Sequence, residues 1–256
     1  MNRKLLVAFA SMLFFGCSSK VEFTVAPKPP AYTETSELII SEISTGINTD
    51  GNAGGVRNHY VELYNGTLEN LDLSQYAVGY QPTFDESTLV DWSFPTDATY
   101  LKLSGTLDAG KCYVIASPQA DPAFVPGNIT WGTTSTSASD ASSPLQLSGN
   151  SGIALLKKDA GGTYILGSDT YKIIDVSGSP NVPRVTSSGS SSSRNNFIWP
   201  VAGVSDTRNR TFWRKKTVHD PSPDWSLAMG TTADNSQWTL SDDRAWDYSN
   251  VGLPTR

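Results

Sequence analysis

The 256-residue chain has little cysteine, little histidine and little charge. It contains two cysteines and two histidines, and charged residues make up 17% of it. Two cysteines exclude a disulfide framework, and no pair of histidines has a spacing that supports a zinc centre. With 19 basic and 25 acidic residues the net charge is −6, which disfavours binding to a phosphate backbone. The composition also excludes a coiled coil, a collagen and a protein with several membrane spans.

The residues that are plentiful favour a β-rich protein. Apolar residues make up 38% of the chain, enough to build a core. Glycine, proline, serine and threonine are frequent, as in loop-rich proteins outside the cytoplasm. The length predicts one large domain or two small ones.

The N-terminus has the pattern of a secretory signal. Arg3 and Lys4 precede residues 5–15, which are apolar apart from one serine. Such a run is too short to cross a bilayer but fits the core of a signal peptide. It ends at Gly16 and Cys17, and this end resembles the lipobox of bacterial lipoproteins. The resemblance implies cleavage after residue 16, acylation of Cys17 and a lipid anchor in the membrane.

A polar spacer follows the lipidation site. Residues 17–36 contain three prolines and predict an extended tether of about 3.1 Å per residue where the chain is polyproline-like. Ser18, directly after the cysteine, indicates the outer membrane in the lipoprotein pattern. Removing residues 1–16 takes away Arg3 and Lys4, so the mature charge is 17 − 25 = −8.

The rest of the chain predicts strands and no convincing helix. Short β-branched and aromatic runs alternate with turn residues, and seven are clear: 38–43, 60–64, 76–80, 111–117, 152–157, 171–176 and 210–215. Seven such runs favour an all-β, two-sheet sandwich. Alternation in the second run places Val61 and Leu63 on one face and Glu62 on the other. Cys112, in the fourth run, is expected to be a buried and inert strand cysteine.

The order of these runs resembles the lamin tail domain. The shared motifs are residues 38–43 (LIISEI), 60–65 (YVELYN), 71–74 (LDLS), 107–110 (LDAG) with 113–115 (YVI), 147–156 (LSGNSGIALL) and 174–176 (IDV). The resemblance implies an immunoglobulin-like β-sandwich over residues 37–228. It also implies an interaction or targeting module, since the family carries little chemistry of its own. Residues 229–256 contain Trp238 and Trp246 but show little periodicity, so we expect this segment to wrap around the sandwich with its tryptophans as anchors.

Three long insertions depart from the family pattern and are the expected contact surface. They cover residues 81–100, 120–144 and 177–206. Loops on a rigid sandwich often carry recognition, and aromatic residues often anchor it. We therefore expect the inserted loops, with an exposed Trp92 or Trp131, to contact an envelope protein or a polysaccharide.

A basic cluster in the seventh run is a second candidate surface. Arg214, Lys215 and Lys216 follow Phe212 and Trp213, a combination able to bind a polyanion. The alternative is a solvated strand face whose aromatic side chains point into the core. Because the chain is acidic overall, we do not expect nucleic acid as the partner.

Asn48, Asp50 and Asn52 form a candidate calcium site. Oxygen ligands at alternating positions with a glycine at the turn suit this flexible, hard cation. The flanking helices and the late glutamate of an EF-hand are missing, and Arg57 stands where that glutamate would be. The same residues also suit a plain turn. Apart from this possible calcium, we expect no cofactor.

Catalysis has weaker support, and we expect no enzyme. Asp85, Glu86, Asp91 and Asp97 in the first insertion are candidate carboxylates for a surface hydrolase. A serine nucleophile at Ser151 would need His59 or His219 as its base. The sequence therefore predicts a cell-envelope lipoprotein that carries a lamin-tail-like binding or scaffolding module. The alternatives are a surface hydrolase and a calcium-stabilised adhesion domain.

Overall fold

A computed structural model describes residues 32–46, 57–82, 89–132, 144–145, 147, 151–186 and 197–253. Within these ranges no helix is long and apolar enough to cross a bilayer. The strands, in chain order, are β1 (Leu38–Ser44), β2 (Tyr60–Asn65), β3 (Leu71–Asp72), β4 (Tyr76–Pro82), β5 (Tyr100–Lys102), β6 (Thr106–Leu107), β7 (Lys111–Ala116), β8 (Ile129–Thr130), β9 (Ser151–Lys158), β10 (Tyr164–Leu166), β11 (Asp169–Ser177), β12 (Val185–Thr186), β13 (Phe197–Ile198), β14 (Thr211–Arg214) and β15 (Trp238–Leu240). A 3-10 turn spans Leu73–Gln75, and one helix, α1, spans Trp225–Met229.

Two sheets form the body of the protein. Sheet A has the order β15-β14-β1-β2-β7-β8, and sheet B has the order β10-β11-β9-β4-β5. All pairings in them are antiparallel except β7 with β8. The two sheets enclose one large hydrophobic cluster. The predicted all-β sandwich is confirmed.

The seven predicted runs are all strands, with ends that differ by at most two residues. They were recognisable because each combines β-branched or aromatic residues with flanking turn residues. The helix α1 was not predicted. It is only five residues long, too short for a helical period, and Asp224 caps it by accepting hydrogen bonds from the backbone N–H of Ser226 and Leu227.

The faces of β2 follow the predicted alternation. Val61 and Leu63 lie in the large core between the sheets, whereas Tyr60 and Tyr64 belong to two smaller clusters on the outer face of sheet A. All six residues of β2 are nonetheless buried. Cys112 is buried on β7, as expected.

The C-terminal segment covers this outer face and also extends sheet A. β15 pairs with β14 at the edge of the sheet, and its Trp238 is fully buried. Beyond β15, Tyr248 packs against Tyr60 and Phe124, and Trp246 donates from Nε1 to the carbonyl of Thr45. The sequence predicted the tryptophan anchors but not the additional strand.

Candidate functional site

A β-bulge in β1 builds the site on the outer face of sheet A. Leu38, Ile40 and Ile43 all belong to the core, which simple alternation does not allow. The register with β2 shifts between Ile40 and Glu42, so one extra residue is inserted there. As a result Glu42 leaves the core face and stands beside Glu62 on the outer face.

Four cross-strand neighbours then form a row across sheet A. Thr239 is paired with Trp213, Trp213 with Glu42, and Glu42 with Glu62. Residues directly opposite each other on antiparallel strands share a face. The row therefore presents a hydroxyl, an indole and two carboxyl groups in sequence.

This row borders a cleft of about 430 Å³. The cleft is lined by Ser41, Glu42, Glu62, Trp213, Arg214, Lys215, Lys216, Thr217, Thr239 and Asn250. Its volume falls in the range of small-molecule sites, about 300–1,000 Å³. The two glutamates are buried, with 3% and 2% exposure, whereas Lys216 and Thr239 are exposed.

Burial and charge repulsion raise the pKa of Glu42 to about 8. Removal from water is the larger cause, and the neighbouring charge of Glu62 adds to it. The hydrogen bond from the Tyr60 hydroxyl opposes the shift, and the charge of Asp247 adds slightly to it. Glu42 is therefore mostly protonated at neutral pH and offers the cleft a donor as well as an acceptor.

Glu62 is held in place by two donors. Its Oε1 accepts from Ser41 Oγ at 2.6 Å, and its Oε2 accepts from the Gly252 backbone N–H at 2.7 Å. Ser41 lies at the bulge of β1, and Gly252 belongs to the C-terminal segment. The β1 bulge and the C-terminal segment therefore both contact the Glu62 carboxylate.

Arg214 is not part of an exposed basic surface, and that part of the prediction is wrong. Its side chain has 0% exposure and forms an ion pair with Asp175. A buried carboxylate on β11 needs a counter-charge, and Arg214 supplies it from β14. Its guanidinium also lies 4.3 Å from the centre of the Trp238 ring.

Lys215 and Lys216 do lie at the rim of the cleft. Lys215 Nζ donates to the backbone carbonyls of Ala233 and Asp234. Lys216 is exposed. The two lysines form the rim and place positive charge at the mouth of the cleft, whereas Glu42 and Glu62 form its floor.

Trp92 and Trp131 are not exposed, and that expectation is also wrong. Each has 8% exposure and belongs to the large core cluster. The described part of the first insertion folds back because Gly152 has no side chain, and a Cβ there would lie 2.7 Å from the Trp92 ring. Both indoles stabilise the fold rather than form a contact surface.

The structure describes only some of the residues of the other predicted sites. Asn48, Asp50 and Asn52 lie outside the described residues, as does Cys17, so calcium and lipidation stay predictions. Within the described ranges no group of three or more histidine, cysteine or acidic side chains is placed to hold a metal. Asp85 and Glu86 also lie outside these ranges, and Asp91 and Asp97 are exposed loop residues.

Both histidines make hydrogen bonds with the backbone. His59 is buried; its Nδ1 accepts from the Leu147 N–H at 3.0 Å, and its Nε2 donates to the carbonyl of Gly46. His219 Nδ1 lies 2.8 Å from the carbonyl oxygen of Glu34. His59 therefore holds chain segments together, and its position gives no support to a role as the base for Ser151.

Sequence reasoning missed Glu42 as a cleft residue. The available signal was the polar pair Ser41-Glu42 between Ile40 and Ile43, which interrupts the alternation and is typical of a bulge. The partners of Glu42 across the sheet were not predictable, because β14 and β15 are far away in the sequence.

Comparison with known proteins identifies the domain. A family model described as the Lamin Tail Domain matches residues 32–199, more than half of the chain. No curated protein matches. Among solved structures, a DUF4876 family protein from Bacteroides thetaiotaomicron VPI-5482 is similar at 12% identity, with a TM-score of 0.43 over 87% of this chain and 72% of that one. The family match includes Glu42 and Glu62 but ends before β14, so the lysine rim of the cleft lies outside it.

Proposed function

The chain belongs to the lamin tail domain family, and we propose that it is a bacterial cell-envelope lipoprotein whose β-sandwich acts as a binding or scaffolding module. The immunoglobulin-like sandwich supplies a rigid body. The observation that carries the binding role is the cleft on the outer face of sheet A, which combines carboxyl groups, an indole and lysines. The module binds its partner without chemical change.

The anchor in this proposal rests on the N-terminal sequence. The basic start, the apolar run and Gly16-Cys17 support lipidation of Cys17. Ser18 supports an outer-membrane location. Residues 17–36 then act as the tether between the lipid and the sandwich.

Labelling in bacteria tests the anchor. The full-length chain, Cys17→Ala and the matched control Ser18→Ala are expressed with radioactive palmitate, and membranes are separated by density. We expect label in the first and third proteins and none in Cys17→Ala, with the wild-type protein in the outer-membrane fraction. An unlabelled wild-type protein contradicts the anchor.

Capture from envelope extract tests the binding role. Purified full-length protein is coupled to beads and compared with Lys216→Glu, which changes the rim, and Lys111→Glu, which changes an exposed lysine of β7 that does not line the cleft. We expect one partner to be retained by the wild type and Lys111→Glu and weakly by Lys216→Glu. If all three proteins retain the partner equally, the partner binds outside the cleft. If none of them retains a partner, the proposed binding role is contradicted.

A further inference from the structure

The cleft points to an acidic saccharide as its ligand, an assignment that rests on the proposed binding function. We infer that a pyranose ring lies against Trp213, that its hydroxyls bond to the carboxyl groups of Glu42 and Glu62, and that its own carboxylate reaches Lys216.

The row of side chains fits a sugar in size and chemistry. Neighbouring strands are about 4.8 Å apart, so the row from Thr239 to Glu62 spans three spacings, about 14 Å. The half-buried indole of Trp213 stands in the row between a hydroxyl and a carboxyl group. A flat apolar ring packs against the C–H face of a pyranose, and the polar neighbours then face the hydroxyls at the sugar's edge.

The floor suits hydroxyl groups better than an anion. Glu62 already accepts two hydrogen bonds from the protein, which fixes the orientation of its carboxylate. Glu42, whose pKa is about 8, both donates and accepts at neutral pH. A sugar hydroxyl also does both, so it pairs with either state of this carboxyl group.

The rim adds a preference for negative charge. Lys215 is fixed by two backbone carbonyls, and Lys216 is exposed at the mouth. An extended phosphate backbone is disfavoured because its charges would also approach the Glu62 carboxylate on the floor of the cleft. A saccharide with one carboxylate per ring places its charge at the rim and its hydroxyls at the floor.

Titration calorimetry on the lipidated full-length protein in detergent tests the assignment. The probes are trisaccharides of galacturonate, glucuronate and mannuronate, each beside its neutral hexose counterpart, and a short single-stranded DNA. We expect at least one uronate to bind and to bind more tightly than its neutral counterpart. Lys216→Gln should reduce that preference by up to about fivefold, the range of an exposed ion pair, and Lys111→Gln should leave it unchanged.

A second set of variants separates loss of the ligand contact from loss of the fold. Trp213→Ala should lower uronate affinity by about tenfold, whereas Trp213→Phe should restore most of it. Absence of binding by all saccharides, or binding of DNA in their place, overturns the assignment, as does an unchanged preference in Lys216→Gln. If an envelope partner is still retained in that case, only the ligand class is wrong; if nothing is retained, the binding role fails with it.

Discussion

The guanidinium of Arg214 pairs with the carboxylate of Asp175 at 2.5 Å, and both side chains are completely buried. Arg214 belongs to β14 of sheet A and Asp175 to β11 of sheet B, so the ion pair joins the two layers. The register of each sheet is irregular here, between Ile40 and Glu42 in β1 and between Ile173 and Asp175 in β11. Two bulges therefore flank the pair.

The bulges allow the backbone to bond to these charges. Asp175 accepts from the N–H of Ile40 at 2.8 Å and from the N–H of Ser222 at 2.9 Å. Arg214 Nε donates to the carbonyl of Ile40 at 3.1 Å, and its Nη1 donates to Gln237. Two buried charges are tolerated because nearly all their hydrogen-bonding capacity is used.

Breaking this pair should be costly. Arg214→Met leaves the Asp175 carboxylate buried without its counter-charge, and we expect unfolding to become easier by about 3–5 kcal/mol. Urea denaturation followed by circular dichroism measures the change. The control is Lys172→Met, which removes the exposed partner of Asp159 and should cost less than about 1 kcal/mol. Similar losses in both variants would contradict the central role of the buried pair.

The pKa of Glu42 predicts a distinct pH dependence. Because this pKa is raised from 4.5 to about 8, the folded state holds a proton that the unfolded chain has lost. The contribution of Glu42 is therefore fully present below pH 4.5 and is lost as pH rises to about 8. Relative to Glu42→Gln, the wild type should lose at most about 1.4 kcal/mol per pH unit in that window. Denaturation of both proteins from pH 4 to 9 measures the difference, and a constant difference contradicts the prediction.

Features set by residues that are close in the sequence could be predicted, whereas features set by residues that are far apart in the sequence could not. Strands such as 60–64 were recognisable because their residues alternate locally, and the family resemblance supplied the sandwich. The cleft could not be recognised from the sequence, because Trp213 lies beside Glu42 only when β14 pairs with β1. The prediction that Trp92 is exposed was wrong. The sequence shows that the first insertion is long, but it does not show that Trp92 in this insertion packs against Gly152.

His59 should make the protein sensitive to acid. Burial lowers its pKa from 6.5 to about 4, although the carbonyl oxygens of Gly46 and Leu145 oppose the shift because they would both accept from the protonated ring. The stabilisation from the neutral ring is present above pH 6.5 and is lost as pH falls through about 4. The stability of the wild type relative to His59→Gln should therefore shrink between pH 6.5 and 4, by at most about 1.4 kcal/mol per unit. Carboxylates with lowered pKa values, such as Glu37 and Asp206, titrate in both proteins and cancel. A difference that does not change with pH would show that His59 is not held neutral.

Gly79 tests how firmly the first insertion is packed. The Phe94 ring lies directly over this residue of β4, and an added Cβ would lie 2.3 Å from the ring. Gly79→Ala therefore forces Phe94 to move, and Trp92 with it, because the two rings are 5.7 Å apart. We expect a loss of about 1–3 kcal/mol in unfolding free energy and a red shift of tryptophan fluorescence as the Trp92 indole gains water. The matched control is Gly105→Ala: a Cβ there meets no atom within 4 Å, but its positive φ adds backbone strain. The control should therefore lose some stability without the fluorescence shift, and a shift in both variants, or in neither, would show that the Phe94 contact does not hold Trp92 in the core.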